Sequence, residues 1–224
     1  KAYAMVAEAE RLIAAQRKVE EMNFERRKRT LDYDNVMNKQ RETIYGLRRE
    51  VLISEDLRPV LLDICYDAMS ARLEKFKNEG EKAETVPYDL DAFEAYVQFM
   101  TPGIDLQGIE RPLEPNDTYL GEILRRLEKT YDLKRTLLGP PLALELARFI
   151  ILEAIDSEWR DHLRGIDELR EGIHLRSYAQ LDPLVEYQRE ATYMFQDTMA
   201  AIQRLVFEHF FRANVVTEHE ERTA

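Results

Sequence analysis

Residues Ala14–Leu52 read AAQRKVEEMNFERRKRTLDYDNVMNKQRETIYGLRREVL. All of residues 1–52 lack proline, and they hold one glycine, Gly46. Apolar or neutral side chains recur at Met5, Ala9, Leu12, Gln16 and Val19, and again at Tyr33, Met37, Gln40, Ile44, Leu47 and Val51. Steps of three and four place each set on one face of a helix. The spacing predicts a single helix of about 50 residues, roughly 75 Å long at 1.5 Å per residue. A helix of that length cannot bury itself in a small domain of its own. It is a strut, along which other bodies pack.

Beyond this helix the chain changes character. Seven of its eight prolines and five of its eight glycines fall within residues 53–141. Short amphipathic stretches appear at Val60–Phe76, Leu90–Phe99 and Tyr119–Tyr131, separated by a loop-like segment with breakers at Pro102-Gly103, Pro112 and Pro115. This reads as a small, acidic, mostly helical insertion, closed by Gly139-Pro140-Pro141. A helical hairpin follows. Its first arm carries Leu152, Ile155, Trp159, Leu163, Ile166, Leu169 and Ile173 on one face; its second carries Tyr187, Ala191, Met194, Thr198, Ile202, Leu205 and His209. Asp182 suits the cap of the second arm and Pro183 its first position. The connecting tip spans about His174–Leu181, with Tyr178 near its centre. The expected fold is all-α, with one very long scaffold helix (1–53), an inserted helical wing subdomain (54–140), an antiparallel two-helix hairpin (141–216) and a polar tail (217–224) that frays.

Composition narrows the function classes. The net charge is −11. A chain this acidic is a poor sequence-independent binder of nucleic acid, whose phosphates demand lysine and arginine. The charge is uneven: +3 over residues 1–52, −7 over 53–140 and −7 over 141–224. One cysteine, Cys65, excludes an internal disulfide and a multi-cysteine zinc site. No wholly apolar run, Phe149–Leu152 among them, approaches the ~20 residues of a membrane span. The chain opens at Lys1 in helical pattern without a cap, which reads as a piece of a longer protein.

Several constellations invite a chemical reading. No Gly-x-x-x-x-Gly-Lys-[Ser/Thr] or Gly-x-Gly-x-x-Gly run occurs, so a nucleotide pocket within the chain is not expected. Glu158, Asp161 and His162 stand at helical spacing, but an acid-rich helix yields such groups by chance and further metal ligands are wanting. Ser157 has no evident base partner. Neither a metal site nor a catalytic residue is therefore expected. Trp159 is expected in the core. The run Arg26-Arg27-Lys28-Arg29 spreads charge around the helix shaft. It is either a solvated collar or a docking surface for an acidic partner, with Arg26, Arg27 and Arg29 as the docking candidates. At the hairpin tip, His174, Leu175, Arg176, Tyr178 and Leu181 are bulky where glycine, asparagine, aspartate and serine are usual. Either they touch another molecule or Tyr178 folds onto a neighbouring domain.

Two stretches resemble the SecA family of preprotein translocase ATPases. Ala14–Leu52, quoted above, is similar to that family's long scaffold helix. Leu152–Glu190, LEAIDSEWRDHLRGIDELREGIHLRSYAQLDPLVEYQRE, is similar to its two-helix finger. The segment between them lies where the family inserts its helical wing. The resemblance implies a parent that uses ATP and Mg to push unfolded preproteins through the SecYEG channel, and a region, this one, that holds neither nucleotide-binding fold and no cofactor and should be inactive alone. It implies that the hairpin restrains the motor domains and that the finger tip touches the translocating chain through Tyr178, with Leu175, Arg176 and Gln180 beside it. It implies a cytoplasmic protein, peripheral on the cytoplasmic face of the bacterial inner membrane, with homodimer formation as a further assembly. Leu181 and Leu184 stand where the family commonly has lysine, which weighs against contact with an anionic lipid surface at those positions. Physical features alone also admit a stand-alone helical interaction adaptor, and more weakly a basic-helix nucleic-acid binder.

Overall fold

The computed structural model describes residues 2–79, 86–112, 115–176 and 182–213, with the side chains of 2–10 and 174–176 left aside. Six α-helices and no strand are found among them: α1 (Ala2–Ile53), α2 (Arg58–Leu73), α3 (Leu90–Met100), α4 (Asp117–Leu138), α5 (Pro140–Arg176) and α6 (Pro183–Arg212). The fold is all-α, and its first helix is 52 residues long.

The local chemistry explains where most helices begin. The Asp89 carboxylate accepts from the Ala92 amide and the Asn116 side chain from the Tyr119 amide, satisfying amides that a helix start leaves without partners. Asp182 accepts from the Leu184 amide at 2.9 Å, with Pro183 leading the helix, as the sequence predicts. Between α4 and α5 the chain reverses at Gly139, whose φ of +82° a residue with a Cβ rarely adopts, and Pro140 opens the next helix.

Contacts divide the chain into two compact units. The first joins residues 1–45 to residues 163–195, that is, parts of α1, α5 and α6. Its buried side chains include Met37, Gln40, Ile44, Ile166, Ile173, Tyr187 and Ala191, the faces that the three- and four-residue steps select. The flexible end of Met194 on α6 packs over Gly165 on α5: a Cβ there would lie 2.7 Å from Met194 Cε.

The second unit holds residues 46–162 and 196–224. Leu57, Leu61, Met69, Phe93, Val97, Ile123, Leu127, Ile151, Ile155, Phe207 and Phe210 form its core. The segment after α3 is irregular, as its breakers predict, yet it is anchored: Ile104 and Leu106 are buried. Arg111 clasps the buried Glu94 through two nitrogens and Asp91 through a third, and the Tyr119 hydroxyl donates to the same Glu94 at 2.9 Å. Arg148 donates to the carbonyls of Val51 and Ser54, and Arg48 grips Asp156 at 2.9 and 3.2 Å. Lys134 reaches the end of α6, donating to the carbonyls of Phe210, Phe211 and Ala213. These are carbonyls that a helix terminus leaves without intrahelical partners.

One expectation for the second arm is corrected. His209 is not buried, and the buried stripe after Ile202 runs through Val206, Phe207, Phe210 and Phe211. The stripe turns because the core it meets there is built from rings: Tyr131 stacks on Phe210 at 5.6 Å, and Phe211 meets both Phe207 and Phe210 edge to face.

Candidate functional site

The candidate site lies in the first unit, where the hairpin formed by α5 and α6 is rooted on α1. Arg170 of α5 donates through Nη2 to Asp34 Oδ1 at 2.9 Å. Tyr187 of α6 is fully buried, and its ring centre lies 4.8 Å from that of Tyr33 on α1, at 52°. One level on, the buried Gln40 amide donates to the carbonyl of Ala191 at 3.0 Å. Numbering rises together on α1 and α6 through these contacts, so the two helices run parallel, with α5 antiparallel to its hairpin partner.

The electrostatics follow from this packing. Burial pushes the Tyr187 hydroxyl above its ordinary pKa, while the Arg170 guanidinium beside it pulls the other way. Tyr33 is also raised, first by burial and then by the negative charge of Asp182. Both tyrosines stay neutral at physiological pH and serve as packing surfaces rather than as acids or bases.

Beside this root an open groove of about 1190 Å³ runs along α1 to the start of α6. Met22, Arg26, Arg29, Tyr33, Arg170 and Leu184 are among its lining residues. Arg26, Arg27 and Arg29 are all exposed; Arg26 and Arg29 face the groove, and Arg27 is not part of its lining. Every residue of α1 from Arg11 to Leu31 is exposed, including Leu12 (67%), Val19 (56%), Met22 (57%) and Phe24 (63%). This half of the helix carries an apolar pattern like that of the buried half, and nothing among the described residues covers it.

The other residues singled out from the sequence fall differently. Tyr178 and Gln180, like the polar tail, lie outside the described residues. Leu175 and Arg176 belong to the last turn of α5, and their side chains are likewise outside those described. His162 is buried, with Nδ1 3.1 Å from Thr198 Oγ1 and its ring stacked on Trp159 at 5.2 Å. Asp161 is exposed, so the group does not converge. Among the described residues, no three His, Cys, Asp or Glu side chains are placed to hold a metal ion. Cys65 is fully buried, and burial raises its thiol well above the reactive range. No described helix is long and apolar enough to cross a membrane.

Sequence reasoning missed the Asp34–Arg170 pair and the Gln40 contact. Their one legible signal was Gln40 standing at a core-facing position, where a polar side chain must find a partner.

Residues 5–214 match the model of the SecA wing and scaffold domain. The chain belongs to that family. As a SecA wing and scaffold chain it is 40% identical over 215 residues to the protein translocase subunit SecA of Desulforudis audaxviator, covering 92% of this chain and 23% of that protein. It is 39% identical to the protein of the same name from Heliobacterium modesticaldum, over 90% of this chain and 24% of that one. The homologue of Pelotomaculum thermopropionicum is likewise 39% identical, over 93% and 24%. The SecA wing and scaffold chain thus spans about a quarter of the length of the curated relatives it matches.

Proposed function

We propose that this region is the coupling and restraining part of a SecA motor that uses ATP to drive secretory preproteins through the SecYEG channel. ATP and Mg are held by motor domains elsewhere in the parent. Residues 1–53 form the scaffold helix, 54–140 the wing, and 141–216 the finger, whose tip meets the unfolded preprotein through Tyr178 with Leu175, Arg176 and Gln180. The parent works at the cytoplasmic face of the inner membrane, as a peripheral protein.

The observation that carries this reading is the contrast along α1. Its second half buries Met37, Gln40 and Ile44 against the hairpin, while its first half presents Leu12, Val19 and Met22 to solvent. Exposing a row of large apolar side chains costs about 25 cal/mol per Å² relative to covering them, so such a row marks a surface that another body completes. Motor domains of the same parent suit that place, with Arg26, Arg27 and Arg29 available to acidic groups on them.

Tyr178→Ala in the full-length parent tests the reading. Preprotein translocation is expected to fall severalfold while basal ATP hydrolysis stays near wild type. Equal loss of both would remove the substrate-contact role of the tip.

A further inference from the structure

Two helices packed only through aliphatic side chains can slide by a turn at little cost, because such contacts are non-directional. Directional contacts remove that freedom; fixing register is the best-attested use of polar groups between helices. The root of the hairpin carries three of them within one unit. The Asp34–Arg170 pair ties α5 to α1, the Tyr33–Tyr187 ring contact ties α6 to α1, and the Gln40 amide addresses one particular carbonyl, that of Ala191. A slip of α6 by one turn would shift Tyr187 by about 5.4 Å along the axis, off Tyr33, and leave the buried Gln40 facing a different carbonyl.

We propose that Tyr33, Asp34, Arg170 and Tyr187 form a register clamp that fixes the height of the α5–α6 hairpin on α1, so that displacement of one is passed to the other. The proposal rests on the coupling role given above and supplies its positioning residues. None of the four needs to touch preprotein or nucleotide. Their effect is to make hairpin and strut a single lever near the point where the arms end, at Arg176 and Pro183. The Asp34–Arg170 pair is half-exposed, with side-chain accessibilities of 49% and 41%. It can therefore exchange with water, and a clamp of this kind is firm without being permanent.

Spin labels at Arg41→Cys and Val185→Cys, both exposed and both in the first unit, measure the register directly in the full-length parent. Its other reactive cysteines are replaced; buried Cys65 remains. The unaltered clamp is expected to give a narrow distance distribution, Asp34→Arg a broad one, and the exchange of Asp34→Arg with Arg170→Asp a narrow one again. Translocation per ATP hydrolysed should fall about two- to fivefold in the single variant, the effect expected of a half-exposed pair, and recover in the exchange. Basal ATPase should not fall, and melting temperature should drop only slightly, as befits a half-exposed pair. Asp34→Asn serves if charge reversal prevents folding.

An unchanged distance distribution in the single variants, or no recovery in the exchange, overturns the clamp. A broadened distribution with unaltered translocation per ATP overturns it too, since the register then transmits nothing. Tyr178→Ala is measured alongside. If it uncouples while Asp34→Arg does not, the clamp falls and the tip's role stands. If Asp34→Arg uncouples while Tyr178→Ala does not, the tip's role falls and the clamp stands.

Discussion

At the scale of single residues, Glu94 carries the sharpest energetic consequence. Its carboxylate is buried, and it is tolerated there because Arg111 approaches with two nitrogens and Tyr119 adds a hydroxyl. Removing the cation strands the anion. Arg111→Ala is expected to lower the unfolding free energy by about 2 kcal/mol, below the roughly 3–5 of a fully sealed pair because Arg111 is itself 46% exposed. Urea denaturation measures it, and a loss under about 0.5 kcal/mol would show that water replaces the arginine. Nothing in the local sequence announces this contact. Glu94 and Arg111 lie 17 residues apart, one on a helix and one in an irregular segment, and no periodicity links them. The same holds for Arg170 and Asp34, 136 residues apart.

Between elements, His162 joins α5 to α6 through Thr198. Burial lowers its pKa below the ordinary value of about 6.5. The unfolded chain therefore takes up a proton before the folded one does. The stability tied to the neutral ring is complete above about pH 6.5 and is lost as pH falls through the lower folded value. Thermal melting at about pH 7.5 and about pH 5.5, on either side of the ordinary histidine value, should show a larger drop for the wild-type chain than for His162→Gln, which cannot titrate. Equal drops would place the acid sensitivity elsewhere.

Helices themselves were legible. The α1 steps from Tyr33 to Val51 name its buried face, the breakers mark the irregular segment, and Asp182-Pro183 marks the start of α6. What the steps cannot tell is whether a face has a partner within the chain: the set around Leu12 and Val19 reads like the set around Met37 and Ile44, yet one is bare and the other covered. Nor do the steps tell which way a face turns to meet its partner: His209 keeps the spacing of its set, yet Phe210, stacked on Tyr131, is the side chain that goes inside.

For the molecule as a whole, the bare half of α1 is the feature to test. This chain, mixed with separately produced motor domains of its parent, is expected to bind them and lower their basal ATP hydrolysis. Val19→Glu should weaken that binding about tenfold or more, since it sets a charge between Leu12 and Met22 in the middle of the apolar row. A chain that remains helical by circular dichroism but neither binds nor alters hydrolysis would favour a stand-alone adaptor.

Lys134 has a consequence for the order in which the protein is made. Its ammonium closes on the carbonyls of Phe210, Phe211 and Ala213, 76 to 79 residues downstream. On the ribosome α4 emerges long before those acceptors exist, and domains are completed from the N-terminal side as synthesis proceeds. The inserted helices must therefore wait, with that charge in water, until the end of α6 arrives to cover it. Synthesis of the last turn thus completes a helix made much earlier, and a nascent chain stalled before Phe210 would still present Lys134 to solvent.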